Sequence, residues 1–272
     1  MKGIIRVPLA NVYRFDTESA EMVTQVIFAT VVTILEEKDC WFKIQIPIQQ
    51  NYTGWVKKEN VFLGKPPQRF LKKIIVHKHL AALKNIPQES SKTILKLPLN
   101  TRLRVMEKQE NWFAVWIPEG RKAWINEQDQ LEEKPAVFKA KSTVEKILHL
   151  ARTFRGVPYL WGGLTPEGFD CSGFVYTLYA LHGYYLHRDA DLQYKYDGLH
   201  VDMNEICPGD LLFFHEDVVE IPTHVGIYEG GQNFINASSR RGVVSYSLAE
   251  NNWRLKISGA KRILVSENKN LV

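Results

Sequence analysis

Cysteine is scarce in this chain: Cys40, Cys171 and Cys207 are all it has. So odd and sparse a set excludes a disulfide framework and suits a reducing compartment. No Cys-x-x-Cys pair occurs, and the eight histidines contain no His-Glu-x-x-His. The usual zinc spacings are therefore missing, and no metal or cofactor is called for. Long apolar runs are absent too, and nothing approaches the ~20 residues of a membrane-spanning helix. The start, Met1 to Ala10, holds Lys2 and Arg6 but no apolar stretch leading to a small-residue cleavage site. No export signal is visible, so the cytoplasm is the expected place of action. Lysines and arginines leave a formal net charge of +5, yet they are scattered, with no basic run or aromatic ladder. That argues against a nucleic-acid face.

What is present is ample: 272 residues, 45% hydrophobic and 24% charged, give room for two or three domains with real cores. Short alternating runs fill the first part: Val23 to Ile27, Val31 to Leu35, Trp41 to Ile46 and Gly54-Trp55-Val56. The pattern returns in Thr101 to Val105, Trp112 to Ile117 and Ala123-Trp124-Ile125. Trp41-Phe42 answers to Trp112-Phe113, and Trp55-Val56 to Trp124-Ile125. Two small all-β barrels in tandem, residues 1–66 and 67–135, are the expectation, with one irregular β domain as the alternative. The tryptophans are expected in the cores.

The polar stretch Leu131 to Lys141 reads as a linker. Ser142-Thr143-Val144-Glu145 then fits a capping box, and Val144, Ile147, Leu148 and Ala151 make one apolar helix face. Beyond it, Gly162-Gly163 runs into Asp170, and Phe174, Val175, Leu178 and Leu181 follow at helical spacing up to Gly183. Loop, cap and a helix of about twelve residues are predicted, with Asp170 as N-cap. Strand-like text comes next: Asp210 to Phe214, Thr223 to Tyr228, Asn233 to Ala237 and Ala260 to Val265. Residues 140–272 are thus expected as one α+β domain of helices and an antiparallel sheet.

Cys171 falls in the first turn of the predicted helix, where unpaired N–H groups and the helix dipole favour a thiolate. A nucleophilic and a buried structural cysteine both fit that position. A nucleophile needs a base, and the base needs an orienting group. The Gly230-Gly231 turn would set His224 and Asn236 side by side on a hairpin, although a lone strand histidine is also compatible with a satisfied core. Tyr159 and the Cys171 N–H are candidates for oxyanion stabilisation. Cys40 and Cys207 are expected to be inert.

The β repeats resemble bacterial SH3-like domains. Tyr159 to Gly163, Asp170-Cys171-Ser172-Gly173-Phe174, Pro208 to Phe214 and His224-Val225-Gly226-Ile227-Tyr228, in that order, resemble the NlpC-type, papain-like cysteine peptidases of bacterial cell walls. The resemblance implies Cys171 as nucleophile, His224 as base and Asn236 as orienting residue, where the family commonly has histidine. It also implies that Asp170 and Ser172 touch substrate. Together with the tandem repeats it is similar to a narrower subgroup, γ-D-glutamyl-L-diamino-acid endopeptidases acting on muropeptides with a free L-Ala amine in recycling or sporulation. The subgroup implies carboxylates for that amine, at Asp189 and at Glu21 with Tyr52, while a solvated loop charge is the alternative for Glu21. Ala190 departs from the small hydroxyl residue expected there. Arg188 is expected to pair with Asp189 or with the D-Glu α-carboxylate. A DL-endopeptidase or an N-acetylmuramoyl-L-alanine amidase on polymeric wall, or a non-catalytic wall-peptide binder, remain as alternatives.

Overall fold

Period-two alternation shapes the N-terminal half of the chain. In Trp41–Ile46, Phe42, Ile44 and Ile46 are at most 3% exposed, while Lys43 and Gln45 between them are half-buried. The computed structural model describes residues 1–133, 140–216, 219–250 and 253–263. Its first sheet comprises β1 (Lys2–Ile5), β2 (Leu9–Tyr13), β3 (Met22–Ile27), β4 (Val31–Lys38), β5 (Trp41–Ile46), β6 (Tyr52–Lys57) and β7 (Val61–Leu63). A second follows with β8 (Lys72–Val76), β9 (Leu80–Lys84), β10 (Thr93–Pro98), β11 (Arg102–Gln109), β12 (Trp112–Ile117), β13 (Arg121–Asn126) and β14 (Gln130–Glu132).

The strand orders are β3-β2-β6-β5-β4-β1-β7 and β10-β9-β13-β12-β11-β8-β14, so each strand of the first has its counterpart at the same place in the second. Register repeats as well: Phe42 faces Val56 as Phe113 faces Ile125, and Lys43 faces Trp55 as Ala114 faces Trp124. Trp41, Trp55 and Trp112 are 6–8% exposed and belong to the cores, whereas Trp116 and Trp124 are only half-buried. Both sheets lie within the unit Met1–Lys134. Phe28, just past β3, belongs to the second sheet's core together with Leu83, Leu97 and Ile117.

The other unit, Pro135–Val272, holds α1 (Ala140–Thr153), β15 (Leu164–Thr165), β16 (Gly168–Phe169), α2 (Cys171–Ala180) and α3 (Ala190–Tyr196). After these come β17 (Leu199–Val201), β18 (Leu211–Glu216), β19 (Val219–Gly230), β20 (Asn233–Ser238), β21 (Gly242–Ser247) and β22 (Ile257–Arg262). The six strands form an antiparallel sheet in the order β17-β22-β18-β19-β20-β21, and α2 packs on β19 and β20. All ten residues of α2 are buried, so the helix is a central rod rather than an amphipathic one.

Some boundaries differ from those expected. Helix α1 already begins at Ala140, which places Ser142 inside its first turn instead of at the cap. Neither proline nor glycine stands at Ala140 or Lys141 to stop the helix reaching back. The predicted face holds, with Ile147, Leu148 and Ala151 buried. Helix α2 ends at Ala180, short of Gly183, because the N–H groups of His182 and Tyr184 both turn back to the Tyr179 carbonyl. Of the expected linker, 134–139 lie outside the described residues, as do 264 and 265 of the last expected strand.

Candidate active site

The start of α2 is built by backbone contact. A Cβ on Gly173 would overlap the carbonyl oxygen of Gly163, so only glycine lets the Gly162-Gly163 loop lie directly on the helix. Asp170 is the N-cap, extended at φ −88° and ψ 176°, and its Oδ1 accepts from the Gly173 N–H at 2.6 Å. Its Oδ2 accepts from the Gly162 N–H at 2.8 Å, tying loop to helix.

Cys171 follows as the first residue of α2 and is 7% exposed. Its Sγ lies 4.0 Å from the Thr223 carbonyl oxygen, and the N–H groups of Val225 and Ser172 bond toward it. The sulfur therefore rests against the backbone on both sides of His224. That histidine, on β19, faces Phe214 of β18 in register and sets its Nε2 3.0 Å from Asn236 Oδ1. Asn236 is fully buried on β20, with Nδ2 donating to the Val244 carbonyl at 3.2 Å. Because Nδ2 is engaged by an acceptor, Oδ1 must face the ring, Nε2 must donate to it, and Nδ1 is left as the bare acceptor.

Gly226 makes this approach possible. A Cβ there would lie 3.2 Å from the Asn236 Cβ and 2.7 Å from the Phe234 ring. With hydrogen in its place, the Asn236 side chain reaches across to the imidazole.

Burial pushes the Cys171 thiol up to about 12, with the Asp170 charge adding to it; the two N–H groups and Arg188 pull the other way without prevailing. Desolvation thus opposes the preference of the helix end for a thiolate. Burial likewise pushes His224 down to about 4, against the Asn236 bond and the Asp170 charge. Burial thus disfavours the charged form of both groups. Tyr159 is kept protonated by burial, with the Asp170 charge acting the same way, so its hydroxyl is a donor. As the first helical residue, Cys171 has a backbone N–H that no intrahelical carbonyl reaches.

Other expected residues fall elsewhere. Asp170 and Ser172 are 7% and 5% exposed and turn inward: Ser172 Oγ lies 3.3 Å from Asp170 Oδ1 and accepts from Arg188 Nη1 at 3.0 Å. Their side chains brace the start of the helix. Arg188 is 1% exposed and holds Asp170 at two points, Nη2 to Oδ2 at 2.6 Å and Nη1 to Oδ1 at 3.1 Å. At both of these points the partner of Arg188 is Asp170, the cap of α2. Asp189 is half-buried at the N-cap of α3, where its side chain makes no cap bond. In the first unit, Glu21 is bonded to Arg14 Nε at 2.6 Å and Tyr52 packs against the barrel core. Cys40 and Cys207 are exposed free thiols.

Three residues had no assigned role in the sequence. Gln193, fully buried, donates from Nε2 to the Ser172 and His187 carbonyls at 3.1 and 2.9 Å. Trp253 stacks on His224 with ring centroids 6.0 Å apart. Gly226 stood inside a quoted motif, but its function is legible only with β20 beside it. Among the described residues, no three His, Cys, Asp or Glu side chains gather as metal ligands would.

Known proteins fit this geometry. The NlpC/P60 family matches residues 156–262, and the YkfC SH3b2 domain matches 76–130. The γ-D-glutamyl-L-lysine dipeptidyl-peptidase of Bacillus cereus is 30% identical over 91% of this chain and 77% of its own. The protein of that name from Bacillus subtilis is 30% identical over 88% and 80%. The crystal structure of an NlpC/P60 family protein from Bacillus cereus superposes with a TM-score of 0.84 at 26% identity, covering 97% of this chain and all of that one. With a cysteine at a helix start, a histidine beside it and an asparagine behind, this chain belongs to the NlpC/P60 family of cysteine peptidases.

Proposed function

We propose that this chain hydrolyses the bond between γ-D-Glu and a following diamino acid in peptidoglycan-derived peptides with a free N-terminal L-Ala, releasing L-Ala-γ-D-Glu. The observation that carries the reading is the extent of the likeness. Relatives named for that activity align over 91% and 88% of the chain, the β repeats included, and not over the peptidase region alone.

The chemistry follows from the order Cys171, His224, Asn236. As Sγ of Cys171 attacks the γ-carbonyl carbon of D-Glu, its proton passes to Nδ1 of His224, while Nε2 keeps its bond to Asn236. The Cys171 N–H and the Tyr159 hydroxyl are the proposed donors to the oxyanion. The imidazolium then protonates the leaving amine as the C–N bond breaks. Water, deprotonated by the same imidazole, cleaves the thioester, and the sulfur recovers its proton. Asp189 is the proposed partner of the substrate ammonium, which needs a counter-charge once out of water. The two exposed free thiols accord with action in the reducing cytoplasm.

Mass spectrometry of products from L-Ala-γ-D-Glu-L-Lys and its N-acetylated form tests this, with wild type and Cys171→Ala in parallel. The expected result is L-Ala-γ-D-Glu from the free peptide alone, lost in the variant. Cleavage of both forms would sink the free-amine requirement, and a product peptide beginning with L-Ala from intact wall would indicate an amidase.

A further inference from the structure

His224 is held at one atom by Asn236. A ring fixed at a single nitrogen still swings about it, and the swing moves Nδ1. Its plane is set by something else: the indole of Trp253 lies over it with centroids 6.0 Å apart and planes inclined by 27°. Phe214 meets the same ring at 6.0 Å and 45°. The indole is wedged in turn, by Tyr246 at 5.6 Å, Phe234 at 5.4 Å and Phe214 at 5.1 Å, so it cannot tilt without displacing those rings.

A second observation singles Trp253 out. Its Nε1 is buried without a hydrogen-bond partner among the described residues. An unmet donor is a cost that phenylalanine or leucine in the same place would not carry. What tryptophan offers in exchange is the broadest flat face of any side chain. We propose that Trp253 is a positioning residue, whose face fixes the plane of His224 so that Nδ1 meets the Cys171 thiol while Nε2 stays on Asn236. The inference rests on the reading of Cys171 and His224 as nucleophile and base.

Planarity and packing separate by substitution. Trp253→Phe keeps a flat apolar face, whereas Trp253→Leu fills the space without one, and Trp253→Met serves as a second non-planar filler. Two readouts are taken on the full chain, after each variant is checked for a cooperative melting transition. One is the split of kcat from KM on L-Ala-γ-D-Glu-L-Lys. The other needs no substrate: the iodoacetamide alkylation rate of Cys171 at pH 7, followed by mass spectrometry of its own peptide because Cys40 and Cys207 are exposed. Trp253→Leu should lose roughly tenfold in kcat and in alkylation rate, with KM within about twofold, while Trp253→Phe stays within about threefold of wild type. Equal rates for the Leu, Met and Phe variants would overturn the proposal. If wild type left the tripeptide intact but alkylation still fell in Trp253→Leu, the positioning role would stand and the substrate reading would fall.

Discussion

Arg188 and Asp170 form a two-point ion pair beneath the nucleophile, at 2.6 and 3.1 Å, with the guanidinium 1% exposed. The carboxylate is the cap of α2 and a charge beside Cys171, so the arginine both supports the helix and offsets that charge at the sulfur. Removing one partner of a buried pair strands the other. Arg188→Met should destabilise the peptidase unit by about 3–5 kcal/mol in urea unfolding, and Arg188→Met with Asp170→Asn should recover part of that loss. Were Arg188→Met within about 1 kcal/mol of wild type, the pair would contribute little.

The orienting bond is open to a similar test. Asn236→Ala removes the acceptor at 3.0 Å from His224 Nε2 and frees the ring to turn. A fall in kcat of about a hundredfold with KM little changed is expected from steady-state assay, since misplacement by an ångström costs on that order. Unchanged kinetics would mean that another group orients the base.

Gly226→Ala approaches the same contact from the other side. The added methyl would crowd Asn236 at 3.2 Å and Phe234 at 2.7 Å. About 1–3 kcal/mol of stability should be lost, with a drop in kcat, both read from one preparation by urea titration and assay.

pH should act through His224. Burial holds it at about 4 when folded, against ~6.5 in an unfolded chain, so between those values the unfolded chain carries the extra proton. The stability linked to this group is complete above about 6.5 and is lost as pH falls toward 4, with a slope of up to about 1.4 kcal/mol per pH unit. Urea midpoints of wild type should therefore fall more steeply from pH 6.5 to 4.5 than those of His224→Gln. The acid limb of kcat/KM should also lie well below 6.5, because the base stays unprotonated there. Parallel stability curves for the two proteins would refute the depressed value.

Asp189→Asn keeps the size and shape of the side chain at the start of α3, so a cooperative melting transition should persist. Its expected effect is on selectivity, as a loss of roughly tenfold in the kcat/KM ratio of the free to the N-acetylated tripeptide. An unaltered ratio would remove Asp189 from amine recognition.

Much of this was legible in the sequence where the signal is local. Asp170 before Phe174, Val175 and Leu178 marks the cap and the start of α2, and the recurrence of Trp41-Phe42 as Trp112-Phe113 marks the tandem. Signals that depend on chain-distant partners were not. Nothing near Arg188 says that it reaches back to Asp170. The indole of Trp253 belongs to no periodic run, and its place over His224 exists only after β18 to β21 have paired. The burial of the Cys171 thiol was hidden for a related reason: the helix end is local, but the strands that cover the sulfur come later in the chain.

Phe28 closes the core of the barrel that follows its own. Cutting the chain after Phe28 would therefore take one ring out of the second barrel's core and leave a cavity there.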